Sequence, residues 1–438
     1  MEGRTLLKGC AVYRGDGRVK SGMTVVISGA LIDLVAPEAQ VPVLPGDWVI
    51  DCGGRLVRPG LVDCHAHLVN GQVTPIAGAD ALESFVHRFE RRLAMAASLS
   101  PLEVEALAAH ALAQGLRRGV TMHAEHLLAP TLVQQCLEAE GRAAVKLGAR
   151  LLHSHASTAF LGDAAGLAQV EANAAVAEGQ RTHPLVRCAL GFSDSFNASD
   201  AMLERVAQRG AELGVGAHFH LCEADDDFAL TRGSSGMTVV ERLDQAGLLK
   251  PQNVAAFARR LSRDEVQVLA RSGVAVSLAP LAGALEGERD ETLEWMLAHG
   301  AQVALGSAGL GTLWEQLPLA FASCAREARG RRLLEPDAAV AELVWGAPSE
   351  LCSRVFGAPS GAVEAGALAD LAVCDTVAAV EDEQSQGLHL MMQVAAAPVA
   401  WTLVNGKVVV REGQLIGADA LELAREAAKA QTAIWRRA

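Results

Sequence analysis

Short runs of alternating and apolar residues open the chain at 5–12, 23–27, 31–35 and 48–51. They are separated by Gly, Pro and Asp, the pattern of small antiparallel strands. The pattern returns after Asp370 with runs at 371–374, 399–404 and 407–410, the last two joined at Asn405-Gly406. Asn-Gly between two such runs is a strong hairpin signal. The two ends are therefore predicted to pair into one small β-sandwich domain, residues 1–58 with 360–414. Between them, apolar runs alternate with helical stretches such as 101–117, 201–213, 264–271 and 291–298, the alternation that yields parallel β/α units. Eight candidate strands lie near 61–68, 119–125, 145–153, 185–192, 214–222, 253–258, 273–279 and 302–307. The predicted fold class is thus α/β, a (β/α)8 TIM-like barrel over 59–357, whose functional residues belong at the C-terminal strand ends. Residues 415–438 read as a C-terminal surface helix.

Composition narrows the partners. A 438-residue chain with 50% hydrophobic and 20% charged residues is an ordinary globular protein rather than a disordered one. Its net charge of -13 is spread along the chain, which disfavours nucleic acid and anionic membranes and leaves a small-molecule ligand as the expected partner. No apolar stretch reaches the roughly 18 residues of a membrane span, and the N-terminus lacks the charged-then-apolar order of a signal peptide, so a cytoplasmic location is expected. The nine cysteines are odd in number and form no C-x-x-C pair, which fits a reducing compartment and no disulfide framework.

The chemistry gathers at predicted strand ends. In Pro59-Gly60-Leu61-Val62-Asp63-Cys64-His65-Ala66-His67 two histidines stand two apart at the end of the first barrel strand. Strand side chains alternate, so both imidazoles project to one side, where they can share one cation. Alone, an H-x-H pair is a weak signal. After Pro-Gly-Leu-Val-Asp and a β-rich segment, it marks a metal site. Further histidines crowd the same rim: His123 and His126 on the second strand, with Glu125 beside them, and His153 and His155 on or after the third. His126, His153 and His155 are accessory candidates, either inward-facing or used in packing and hydrogen bonding. Cys64 and Cys222 flank candidate ligands and read as small buried space-fillers.

The H-x-H opening, Gly119-Val120-Thr121, Gly366-Ala367-Leu368-Ala369-Asp370-Leu371 and Val404-Asn405-Gly406-Lys407 together resemble the aminohydrolase and chlorohydrolase group of the amidohydrolase superfamily, which includes guanine and cytosine deaminases. The resemblance covers nearly the whole chain. It implies a metal set of His65, His67 and His220, the last within His218-Phe219-His220-Leu221-Cys222-Glu223, with Glu223 as acid/base beside the ligands. It also implies zinc as cofactor and association into a homodimer.

Three positions depart from the family pattern. Phe257 stands where the sixth strand carries a histidine, Ala308 where the eighth carries an aspartate, and Ala279-Pro280-Leu281-Ala282-Gly283 replaces a polar stretch after the seventh. Weak or partial zinc occupancy is therefore expected, because an anionic ligand is missing. Two readings follow. One is an impaired or non-catalytic barrel that binds a ligand or a partner. The other is an active zinc hydrolase or deaminase of C–N or C–Cl bonds in cyclic small molecules, using His65, His67, His220 and Glu223.

Overall fold

The computed structural model describes residues 3–13, 18–74, 84–286, 292–327, 339, 341–377 and 397–437. The chain opens with β1 (Thr5–Tyr13), β2 (Val19–Ser28), β3 (Leu31–Pro37), β4 (Trp48–Asp51) and β5 (Arg55–Pro59). Then come β6 (Leu61–Ala66), β7 (Val120–Leu127), β8 (Arg150–His155), β9 (Val186–Cys188), β10 (Leu190–Phe192), β11 (Ala217–Leu221), β12 (Val254–Phe257), β13 (Ala275–Leu278) and β14 (Gln302–Leu305). It closes with β15 (Leu371–Val377), β16 (Val399–Val404), β17 (Lys407–Arg411) and β18 (Gln414–Leu415).

Strands from the two ends of the chain form a single nine-stranded sheet in the order β18-β17-β16-β15-β5-β1-β2-β3, with β4 on β1. The joint is β5, which pairs in parallel with β1 and antiparallel with β15. The hydrogen bonding is thus continuous rather than divided between two sheets. One apolar core, including Leu7, Val25, Ile50, Val57, Val373 and Leu403, is shared among these strands. Asn405 and Gly406 link β16 to β17 with φ +53° and +73°, the pair of left-handed residues that a two-residue hairpin requires. The terminal helix spans Ala420–Arg437; ahead of it, residues 414 and 415 turn back as β18 on β17. Of the segment read as helical over 291–298, Leu293–Ala298 is a helix and residue 291 lies outside the described residues.

The remaining strands form two parallel sheets, β6-β7-β8-β9 and β10-β11-β12-β13-β14. Every residue of β6, β7, β8, β11, β12 and β13 is buried, as expected for parallel strands covered on both faces. The fourth predicted strand is interrupted at Ala189, so β9 pairs with β8 while β10 pairs with β11. The two halves stay in touch there: Ala189 N donates to His153 O at 2.8 Å, and Ser157 bridges Phe192. At the other edges, Ala308 N donates to His65 O at 2.9 Å and Ser307 N to Asp63 Oδ1 at 2.9 Å. A core cluster with Val62, Met122, Leu152, Ala189, Val254 and Ala304 draws on both sheets.

A buried ion pair ties the terminal sheet to the parallel one. Arg150 of β8 donates from Nε to Asp370 Oδ2 at 2.5 Å and from Nη2 to Asp370 Oδ1 at 3.1 Å, with side chains 1% and 4% exposed. Helix Pro101–Arg117 leads into β7; Ser100 and Glu103 form its capping box, and proline holds its first turn. Gly119 then turns the chain at φ +75°, where a Cβ would lie 2.5 Å from Arg58 Nη2. Among the described residues no helix is long and apolar enough to cross a membrane.

Candidate metal centre

The C-terminal ends of the parallel strands open on one cleft. Its walls include His67, Arg92, His126, Asp194, His220, Glu223, Phe257, Arg259 and Ala308. β6 brings in His65, and His67 follows directly after its end; their rings lie 4.7 Å apart edge-on. The ring of His220, from β11, lies 5.1 Å from that of His65 and 5.4 Å from that of His67. Glu223 follows β11, with Oε2 2.7 Å from His220 Nδ1. Of the four residues expected from the H-x-H and H-x-x-E patterns, His67, His220 and Glu223 line the cleft and His65 is buried directly against them.

Of the accessory histidines, only His126 joins them. Its ring lies 4.8 Å from that of His220 and 6.1 Å from that of His67. His153 and His155 do not reach the cleft, because in β8 alternate residues face opposite ways and these two point away from it. His153 pairs with Glu140 Oε2 at 3.2 Å and Gln180 Oε1 at 2.8 Å, on the surrounding helices. His155 contacts Ser157 Oγ at 3.1 Å and accepts from Ala129 N at 3.3 Å. The described cysteines are free and buried, and the Cys64 thiol donates to Val62 O.

Three participants were not singled out in the sequence. His218 Nε2 lies 2.9 Å from His65 Nδ1 and so orients that ring. Arg92 reaches Glu223 Oε1 at 3.4 Å from helix Phe85–Ala96. Asp194 follows β10 and has Oδ1 3.6 Å from His220 Nδ1. Its signal was available: an acid in Gly191-Phe192-Ser193-Asp194, at the end of a predicted parallel strand.

Hydrogen bonding leaves several lone pairs directed into the site. His67 Nδ1 stands 2.9 Å from His126 O, so it carries the proton and leaves Nε2 as a lone pair. His65 Nε2, His126 Nε2, His220 Nδ1, Glu223 Oε2 and Asp194 Oδ1 are all buried without a hydrogen-bond partner. The 2.7 Å approach of His220 Nδ1 to Glu223 Oε2 is thus close but not aligned as a hydrogen bond. Two groups of ligand atoms fall within 4.8 Å of one another: His65, His126 and His220, and Asp194, His220 and Glu223. A buried polar atom left unmet costs about 1–3 kcal/mol, so each of these groups, which share His220, fits a site built around a cation.

Charge is sorted across the cleft. Burial, together with the neighbouring imidazoles, holds His65 and His126 well below the ordinary histidine range and takes His67 down to about 3. Burial also opposes charge on His220, but Glu223 and Asp194 outweigh it and push this imidazole up to about 9. Burial would raise Glu223; His220, then Arg92 and Arg259, instead hold its carboxyl below the usual range. Neutral His65, His67 and His126 thus stand beside a protonated His220 paired with an ionised Glu223, and a cation would take the place of the His220 proton.

Phe257 and Ala308 both face this cleft. The Phe257 ring meets those of His65 and His220 edge-on at 5.1 and 4.9 Å. Backbone strain clusters at these strand ends: φ is +53° at Cys222, +75° at Phe257, +52° at Ala258 and +50° at Ala308. Non-glycine residues rarely adopt this conformation, and they collect at functional sites.

The fold and site together define a metallohydrolase-type protein. Residues 56–409 match the amidohydrolase family, and the chain belongs to it. It is 26% identical over 390 residues to a 5-methylthioadenosine/S-adenosylhomocysteine deaminase of Natronomonas pharaonis, spanning 87% of this chain and 88% of that protein. It is 24% identical over 434 residues to a 5'-deoxyadenosine deaminase of Methanosarcina mazei, spanning 94% of each. These similarities fit the aminohydrolase and chlorohydrolase group. A zinc-bound adenosine deaminase from Xanthomonas campestris superposes with a TM-score of 0.83 at 21% identity, over 99% of this chain and 98% of that one. The atrazine chlorohydrolase of Arthrobacter aurescens TC1, complexed with zinc, gives 0.82 at 21% identity over 98% and 100%. The shared fold extends over both parallel sheets and the sheet of the two termini.

Proposed function

We propose that this chain binds a small cyclic molecule beside a divalent cation and that its hydrolysis of C–N or C–Cl bonds is impaired. The observation that carries the proposal is that Phe257 and Ala308 line the same cleft as His220 and Glu223, so two strand ends there supply no polar group. His65, His67 and His220 are the candidate ligands, and zinc, present in the related adenosine deaminase and chlorohydrolase structures, is the candidate cation. Held there, zinc would supply Lewis-acid chemistry, activating water and polarising an electrophile. The chain's own residues orient the ligand rings through His218 and the His126 carbonyl, and Glu223 holds an ionised carboxylate next to them. Loss of one general base alone costs about 10² to 10⁴ in rate.

The same proposal takes the two parallel sheets as a closed eight-stranded barrel over 59–357, with 1–58 and 360–414 as one composite domain. It takes the protein as cytoplasmic and homodimeric, with zinc weakly or partially occupied if the histidines act alone. A second reading, an active zinc hydrolase or deaminase, is favoured by the 2.7 Å approach of Glu223 to His220, since a glutamate there can exchange a proton with a reacting group. Metal content of protein purified without added metal, then turnover of 5'-deoxyadenosine, 5-methylthioadenosine, S-adenosylhomocysteine and a chlorotriazine with zinc supplied, separates the two. Saturable binding without turnover supports impairment. Turnover with kcat/KM near 10⁴ M⁻¹s⁻¹, about the lower end for enzymes, establishes the active reading.

A further inference from the structure

The eighth strand lacks its anionic ligand, but the cleft does not lack an anion. Asp194 is fully buried and lies after β10, on the cleft wall. Ser193 Oγ donates to its Oδ2 at 2.6 Å and Asn197 Nδ2 at 3.3 Å, so one oxygen is fixed and the other, Oδ1, is unpartnered. That free oxygen lies 3.6 Å from His220 Nδ1, which is itself 2.7 Å from Glu223 Oε2. None of these three atoms has a hydrogen-bond partner, and all lie within 4.8 Å of one another. His220 N donates to Ser193 O at 2.9 Å, so the main chain beside Asp194 is in register with β11.

We propose that Asp194 is the anionic metal ligand of this protein, binding through Oδ1 the cation held by His220, with Glu223 as the adjacent carboxylate. Two carboxylates balance a divalent charge in a buried place, which the histidines alone cannot do. An anchored oxygen opposite a free one is the arrangement that orients ligating carboxylates. The proposal rests on the reading that the cleft holds a cation, and it reverses the expectation of weak occupancy: zinc should bind at one full equivalent.

The test uses the full chain, stripped with a chelator and titrated with zinc against a chromophoric competitor, for the parent, Asp194→Asn and Glu286→Gln. Glu286 lines the same cleft and pairs with Arg259, so its replacement removes an equal charge outside the cluster. Asp194→Asn should weaken zinc by more than about tenfold, and Glu286→Gln by less than about threefold. Equal effects, or none for Asp194→Asn in a folded variant, overturn the assignment. A parent that binds no zinc removes the metal reading itself; a parent that binds zinc independently of Asp194 removes only this inference. If Asp194→Asn does not fold, anomalous diffraction from zinc-loaded parent crystals decides. A zinc ion within about 2.0–2.2 Å of Asp194 Oδ1 supports the assignment, and one beyond about 3 Å overturns it.

Discussion

Replacing Glu223 by Gln in metal-free protein should change how stability depends on pH. His220 is protonated in the folded state up to about pH 9, mainly because Glu223 and Asp194 overcome its burial. Its ordinary value is near 6.5, so the rise of about two to three units corresponds to about 3 kcal/mol. The side chain is only 8% exposed, so solvent screens little of this. A pKa raised on folding contributes stability that is fully present below about pH 6.5 and lost as pH rises through 9. The depressed Glu223 carboxyl reports the same pair from the acid side, where stability is lost as pH falls below the ordinary carboxylate range, and it is not a second contribution. In metal-free parent the His220 contribution should therefore fall by about 3 kcal/mol between pH 6 and 9, set against the gain from the neutral imidazoles His65, His67 and His126 as the unfolded chain stops binding their protons. Glu223→Gln should lose distinctly less, because only the share from Asp194 remains. Urea unfolding at both pH values in the presence of a chelator measures the difference. Identical losses in parent and variant would show that the His220–Glu223 pair carries no such energy. With zinc supplied, the cation competes with the His220 proton, so affinity should climb with pH toward 9.

Three further outcomes are expected. Phe257→His with Ala308→Asp should raise zinc affinity by about tenfold or more and exceed the combined effect of the single changes, because the ligands couple through one ion; calorimetry on all four proteins checks it, and an unchanged affinity in folded Ala308→Asp means that position 308 does not reach the cation. Asp370→Ala leaves the Arg150 guanidinium buried without its carboxylate and should cost about 3–5 kcal/mol in urea unfolding. Ala308→Gly should stabilise the protein by about 0.5–1 kcal/mol, since relief of a left-handed alanine outweighs the added freedom of the unfolded chain; a lower midpoint in thermal melts contradicts this.

Much of the architecture was readable because buried parallel strands are written as apolar runs: each of the eight predicted strands overlaps an observed one, the fourth in two pieces, and the third, expected over 145–153, begins only at Arg150 because residues 145–147 end the helix Val133–Leu147. The break at Ala189 was not readable, since Val186 to Phe192 is almost uniformly apolar and carries no Gly-Pro or Asn-Gly marker. That His65, His67, His220 and Glu223 lie together was legible because their spacing and strand-end setting point to shared chemistry. Asp194 stands at the end of a predicted strand, but its place beside His220 depends on a contact with another strand that no spacing along the chain reveals. His153 and His155 were ambiguous because i, i+2 spacing fixes only that two side chains share a face, and β8 turns that face toward Glu140 and Gln180.

The left-handed strand ends bear on which side chains positions 257 and 308 can hold. Phe257 and Ala308 hold φ of +75° and +50°. Histidine and aspartate are among the non-glycine residues that tolerate this region best, whereas a bulky phenylalanine and an alanine carry its full penalty of about 1–2 kcal/mol each. Histidine and aspartate are also the residues that the family resemblance places at these positions. The main chain at these positions therefore suits a histidine and an aspartate better than the residues it holds, with Ala308 N bonded to His65 O. A histidine at 257 and an aspartate at 308 would thus meet a backbone already in the conformation they tolerate, so the Phe257→His and Ala308→Asp changes ask for new side chains and not for new loops.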